Sequence, residues 1–222
     1  MKEKGEWRAL VIGFLGSIAG AYGVILFNQF VLMRLPLGLR MTSAILTYWL
    51  IAAVPIIVAA VQKMRLSDYG FSKNKLGMQI LLGLAVGAAM SLMFTLIPHL
   101  LGFGEYFSSG KRYQYLWQFV YELFYCVLAV GAVEEFVFRG FIYERIKNIG
   151  KNEMTAVIGS SVLFGLFHIF GGNILQMLMT AVLGAFWCVC RLKIKNCTIL
   201  SLIIAHGFYD WLIVGWTAVL QG

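Results

Sequence analysis

The sequence predicts an all-α protein, a polytopic bundle of seven transmembrane helices with room for an eighth, and three observations carry that reading. Hydrophobic residues make up 60% of the chain and charged residues only 13%, against about 45–50% and about 25% in soluble domains. The apolar residues gather into stretches of about 17 to 30, around the length of about 20 that crosses a hydrocarbon core about 30 Å thick. The breaks between stretches are short and hold most of the Lys and Arg. Helices are the expected element because lipid offers no partner to a free backbone N–H or C=O.

The first stretch, 8–33, follows Lys2, Lys4 and Arg8. It contains Ala19-Gly20-Ala21, an A-x-A-like site, but its apolar run continues to Val31. That is longer than the h-region of a signal peptide, so it reads as a retained span. The second, 41–62, begins after Arg34 and Arg40, and the third, 76–100, begins after the polar connection Arg65–Lys73. His99, beside Pro98 at the end of the third stretch, reads as interfacial. The fourth, 114–143, is long enough to conceal an additional helix. The fifth (154–170), sixth (174–190) and seventh (199–219) follow through short polar connections. With three prolines and no repeat or low-complexity tail, residues 1–222 read as a single helical domain.

The net charge of +8 does not point to nucleic acid, because the basic residues are scattered over short loops and form no coherent patch. The positive-inside rule accounts for them. Thirteen fall on one side: Lys2, Lys4 and Arg8; Lys63, Arg65, Lys73 and Lys75; Arg145, Lys147 and Lys151; Arg191, Lys193 and Lys195. Four fall on the other, Arg34, Arg40, Lys111 and Arg112, and Arg139 lies within the fourth stretch. The expected placement is a multi-pass cell-membrane protein with a cytoplasmic N-terminus and, with seven spans, an external C-terminus. Cys126, Cys188, Cys190 and Cys197 have neither metal-ligand nor disulfide-framework spacing and read as packing residues.

Ionisable groups inside a span cost on the order of 2.5–3.5 kcal/mol each on insertion scales and are functional candidates by default. The fourth stretch holds Glu134, Glu135 and Arg139, the fifth Phe164 and His168, the seventh His206 and Asp210. Glu135 and Arg139 are four apart with the acid first, the favourable order for a helical ion pair. Glu134 is turned about 100° away and is the acid left for chemistry. At about 1.5 Å of rise per residue, Glu134 lies about 18 Å from the basic end, His168 about 21 Å, His206 about 11 Å and Asp210 about 17 Å. The four can share one layer. The bland alternative makes these groups hydrogen-bonding glue between helices. Asn28, Gln29, Ser160 and Ser161 read as packing or kink residues.

At these positions the sequence resembles the CAAX-processing and bacteriocin-processing family of intramembrane proteases, also called the Abi family. Its hallmarks E-E-x-x-x-R, F-x-x-x-H and H-x-x-x-N/D correspond to Glu134-Glu135…Arg139, Phe164…His168 and His206…Asp210, in order and on separate stretches. The resemblance covers about 114–215 and implies an eight-helix core. It also implies peptide hydrolysis in which Glu134 and His168 activate a water, His206 and Asp210 stabilise the oxyanion, and Glu135 and Arg139, with Phe164, shape the site. The expected partners are the bilayer and a peptide or membrane-anchored protein, and the small size leans toward the family's bacterial members. No cofactor is favoured, since H-E-x-x-H is absent. The alternative is a zinc ion held by Glu134, His168 and His206 with a water in an open position. A serine mechanism through Ser161 and His206 ranks behind both, and a transporter or immunity protein remains as the non-enzymatic reading.

The charge count makes a topological prediction: cysteine-accessibility labelling places the connections at 63–75, 145–153 and 191–198 in the cytoplasm. Two of them labelling from outside would reverse the orientation.

Overall fold

A computed structural model describes residues 2–103, 113–170 and 174–220. Among the described residues the chain is helical and has no strand. The helices are α1 (Lys2–Phe30), α2 (Leu37–Tyr48), α3 (Leu50–Val61), α4 (Leu76–Phe103), α5 (Leu116–Gly150), α6 (Glu153–Phe167), α7 (Ile174–Lys193) and α8 (Ile199–Leu220).

Five of these, α1, α4, α5, α7 and α8, are long and apolar enough to cross a membrane. The pair α2–α3 adds a sixth if counted as one span, since the two are bent by 44° at Trp49. The stretch at 154–170 yields α6, only 15 residues long, which runs into a 3₁₀ turn at His168–Phe170. At about 1.5 Å per residue that helix is roughly 22 Å long, short of a full hydrocarbon core. Among the described residues the span count by length and composition is therefore five or six. The fourth stretch is one helix reaching Gly150, with π-helical turns at Cys126–Gly131 and Glu135–Ile142.

The core is organised around α5. Residues 133–143 are buried without interruption, the mark of a helix enclosed on every side. One apolar cluster joins Val137, Phe138 and Phe141 of α5 to Leu10 and Val24 of α1, Ile51 of α3 and Phe164 of α6. A second joins Met90 of α4 to Trp187 of α7 and Leu202, Ala205 and Tyr209 of α8. Where α5 crosses α8 the backbones nearly touch. A Cβ on Gly207 would lie 2.6 Å from the Val127 Cα, and one on Gly131 would lie 2.6 Å from the Ile203 carbonyl oxygen. Small residues permit such approach in membrane bundles, and here they bring His206 against α5.

The segments expected to share one side do meet. Arg145 pairs with Glu6 at 2.9 Å and donates to the Tyr69 hydroxyl at 3.3 Å. Arg191 pairs with Glu144 at 2.7 Å and donates to the Arg139 carbonyl at 2.6 Å. The Ile199 N–H donates to the Gly70 carbonyl. The N-terminus and the ends of α3, α5 and α7 are thereby gathered at one end of the bundle. Burial pushes the Tyr69 phenol above its usual range, against the opposing pull of Arg145. Arg145 and Arg191, expected in connecting loops, lie instead within helices, buried or mostly buried and paired with acids. Lys111 and Arg112 lie outside the described residues.

The α5–α8 contact predicts that Gly207→Ala lowers stability by about 1–3 kcal/mol through overpacking. Gly77→Ala, where an added Cβ meets nothing within 4 Å, leaves it unchanged or slightly raised. Thermal unfolding in detergent compares the two.

Candidate active site

The site forms where α2, α5, α6 and α8 converge. Adjacent acids on α5 face different neighbours because successive helical residues diverge by about 100°. Both are buried.

Glu135 faces α8 and its own next turn. Its Oε1 accepts from Arg139 Nη1 at 3.0 Å and from His206 Nδ1 at 2.7 Å. The expected ion pair is present, and it is also the anchor of His206, a contact the sequence reading did not anticipate. Arg139 in turn lies over the Phe164 ring, 4.0 Å from its centroid, a cation–π contact that suits a weakly hydrated guanidinium. Among the described residues, Glu135 Oε2, Arg139 Nη2 and Ser161 Oγ are buried without a hydrogen-bond partner.

Glu134 faces α2 and α6. Its Oε1 accepts from the Tyr48 hydroxyl at 2.6 Å. Its Oε2 lies 3.8 Å from His168 Nε2 and 3.9 Å from His206 Nε2. His206 Nε2 is also 3.4 Å from Asp210 Oδ2, one turn along α8.

Each imidazole is oriented through its other nitrogen. His168 caps the end of α6, and its Nδ1 lies 2.9 Å from the Phe164 carbonyl oxygen. A carbonyl only accepts, so Nδ1 carries the proton and the Nε2 of neutral His168 presents a lone pair. His206 Nδ1 likewise donates to the Glu135 carboxylate. The Phe164 ring stands edge-on to both imidazoles, and Trp187 of α7 stacks on His206 at 5.8 Å and 24°.

The structure therefore brings together every residue singled out from the sequence: Glu134, His168, His206 and Asp210 around one point, with Glu135, Arg139 and Phe164 directly behind. It adds Tyr48 and Trp187. Neither belongs to a spaced motif, and an aromatic residue in an apolar stretch carries no sequence signal of its own. A cleft of about 200 Å³ opens onto Glu134 and His168. Its walls are Ile18, Ala21, Tyr22, Val24 and Ile25 of α1 with Tyr48, Ile51 and Phe167. Two larger hollows, near Tyr113–Phe119 and near Arg40–Glu122, hold none of the site residues.

A zinc site requires ligands converging at about 2.0–2.2 Å on one point. Among the described residues no group of three or more His, Cys, Asp or Glu side chains meets the geometry of a metal site.

Residues 116–212 match the family described as type II CAAX prenyl endopeptidase Rce1-like. That segment is Rce1-like. The Rce1-like segment runs from the start of α5 into α8 and contains Glu134, Glu135, Arg139, Phe164, His168, His206 and Asp210. Tyr48 and the α1 wall of the cleft lie before it. Neither the comparison with curated proteins nor that with solved structures gives a match.

The buried bridge at Glu135 predicts that Glu135→Gln destabilises the protein by about 3–5 kcal/mol, because the buried Arg139 loses its counter-charge. Thermal unfolding measures this. A variant as stable as the parent would mean that Arg139 is neutralised elsewhere.

Proposed function

We propose that the protein is an intramembrane endopeptidase that hydrolyses a peptide bond of a membrane-anchored peptide or protein by a glutamate-activated water. The observation that carries this reading is the 3.8 Å separation of Glu134 Oε2 from His168 Nε2. It is too long for a direct hydrogen bond and suited to a water bridging the two. Both atoms are acceptors, so such a water donates one hydrogen to each and turns a lone pair outward.

As that oxygen attacks the scissile carbonyl carbon, Glu134 takes the proton. General-base assistance of this kind contributes about 10²–10⁴-fold. The carbonyl oxygen becomes an oxyanion, which His206 stabilises when protonated at both nitrogens, with Nδ1–H held by Glu135 and Nε2–H free to donate. Asp210, beside that Nε2, orients His206 or, when protonated, donates as well. Collapse of the tetrahedral intermediate breaks the C–N bond, and the proton on Glu134 passes to the leaving amine. The products are a carboxylic acid and an amine, which exchange a proton to leave as carboxylate and ammonium.

The cleft is largely apolar, fitting a substrate that approaches from within the bilayer. In this reading the protein sits in a cell membrane with its N-terminus in the cytoplasm.

Purified protein incubated with a prenylated C-A-A-X peptide and its unprenylated counterpart, read by mass spectrometry, tests the proposal. The parent cleaves at least one of the two. Glu134→Gln abolishes cleavage and leaves the unfolding temperature close to that of the parent. Active protein carries substoichiometric zinc and keeps most of its activity in strong chelators. An inert parent would overturn the peptidase reading. One tightly held zinc per chain, essential and restorable, would overturn the metal-free mechanism alone.

A further inference from the structure

Tyr48 stands outside the Rce1-like segment, on the last residue of α2, directly before the 44° bend into α3. Three contacts fix it there. The next residue, Trp49, donates its indole N–H to the Leu128 carbonyl at 3.1 Å, tying the bend to the π-helical turn of α5 that precedes Glu134. The Tyr48 ring stands edge-on to Tyr125 of α5 at 6.0 Å. Tyr125 packs on Tyr121, whose hydroxyl donates to the Met41 carbonyl at 2.9 Å and so returns to α2. The phenol is thus clamped between α2 and α5 with its hydroxyl on Glu134 Oε1 at 2.6 Å.

From this geometry we infer that Tyr48 is a positioning residue that selects which oxygen of Glu134 does the chemistry. The inference rests on the reading of Glu134 as the base. A carboxylate has two equivalent oxygens and rotates broadly about its last torsion. A bond of 2.6 Å is in the range of charge-assisted O–H···O⁻ contacts, about twice as strong as neutral ones. It occupies Oε1 and leaves Oε2 toward the two imidazole Nε2 atoms. The bonds from Trp49 to the Leu128 carbonyl and from Tyr121 to the Met41 carbonyl hold the end of α2 against α5 and keep the hydroxyl on the acid.

The experiment compares the full-length parent with Tyr48→Phe, which keeps the ring and removes the hydroxyl, on the peptide the parent cleaves. The expected result is a kcat about 10–100-fold lower, the range for loss of an orienting partner, with KM unchanged. A rise in KM at unchanged kcat would overturn the inference, because the hydroxyl would then be contacting substrate. A folded variant with both constants unchanged would overturn it too. Infrared difference spectra supply a readout independent of turnover. Tyr48→Phe shifts a carboxylate stretching band in the parent background and shifts nothing in the Glu134→Gln background. If the parent cleaves no peptide, the peptidase reading fails and the infrared band alone decides whether Tyr48 holds Glu134. If Tyr48→Phe does not fold, Trp49→Phe decides. It keeps the phenol and frees the bend from Leu128, so kcat falls severalfold; an unchanged kcat overturns the positioning role.

Discussion

A carboxylate with no exposure at all, Glu135, must be neutralised inside the protein, and the arrangement of the site follows from how that is done. Burying a charge is tolerable only when it is paired and its lone pairs are hydrogen-bonded. Arg139 supplies one partner from the next turn of the same helix. His206 supplies the other from α8, 71 residues later in the chain. The second contact requires α5 and α8 to lie almost backbone to backbone, which Gly131 and Gly207 allow. The structural acid thereby sets the position of α8 and the orientation of the imidazole.

Its neighbour Glu134 is placed by the same helix for a different purpose. Turned about 100° from Glu135, it meets α2 and α6 as well as the outer nitrogen of His206 on α8. There it finds one donor, Tyr48, and two imidazole nitrogens too distant for a direct bond. Glu135 is bonded through Oε1 to both Arg139 and His206, whereas Glu134 keeps Oε2 toward the two imidazoles. Wide π-helical turns on either side of Glu134 accompany this arrangement, as they often do at functional positions in helices.

The site also joins two parts of the chain with different standing. The Rce1-like segment carries all the acids, the histidines and the arginine. The helices before it carry most of the walls of the cleft and the Tyr48 hydroxyl on Glu134. The chemistry and the access to it are thus encoded separately, and α2–α3 connects them through Tyr48 and Trp49.

Composition and the length of the apolar stretches were enough to establish a helical membrane protein, because lipid permits few other solutions. Spacing within α5 determined that Glu135 pairs with Arg139, since an i,i+4 contact is local. The intrahelical separation of Glu134 from Glu135 is equally local. Depth along each helix indicated that His168, His206 and Asp210 were able to share a layer with Glu134. What the sequence did not determine is who touches whom across helices. Rotation of α8 chose Glu135 as the partner of His206, and the packing of the end of α2 on α5 brought Tyr48 to Glu134. The end of α6 made His168 a cap residue bonded to the Phe164 carbonyl. It also left that helix shorter than the apolar stretch predicts. Arg145 and Arg191, counted as loop charges, were drawn into ion pairs by the packing of four chain segments at one end of the bundle. Each of these depends on helix rotation and close approach, which residue periodicity constrains only loosely and tertiary packing decides.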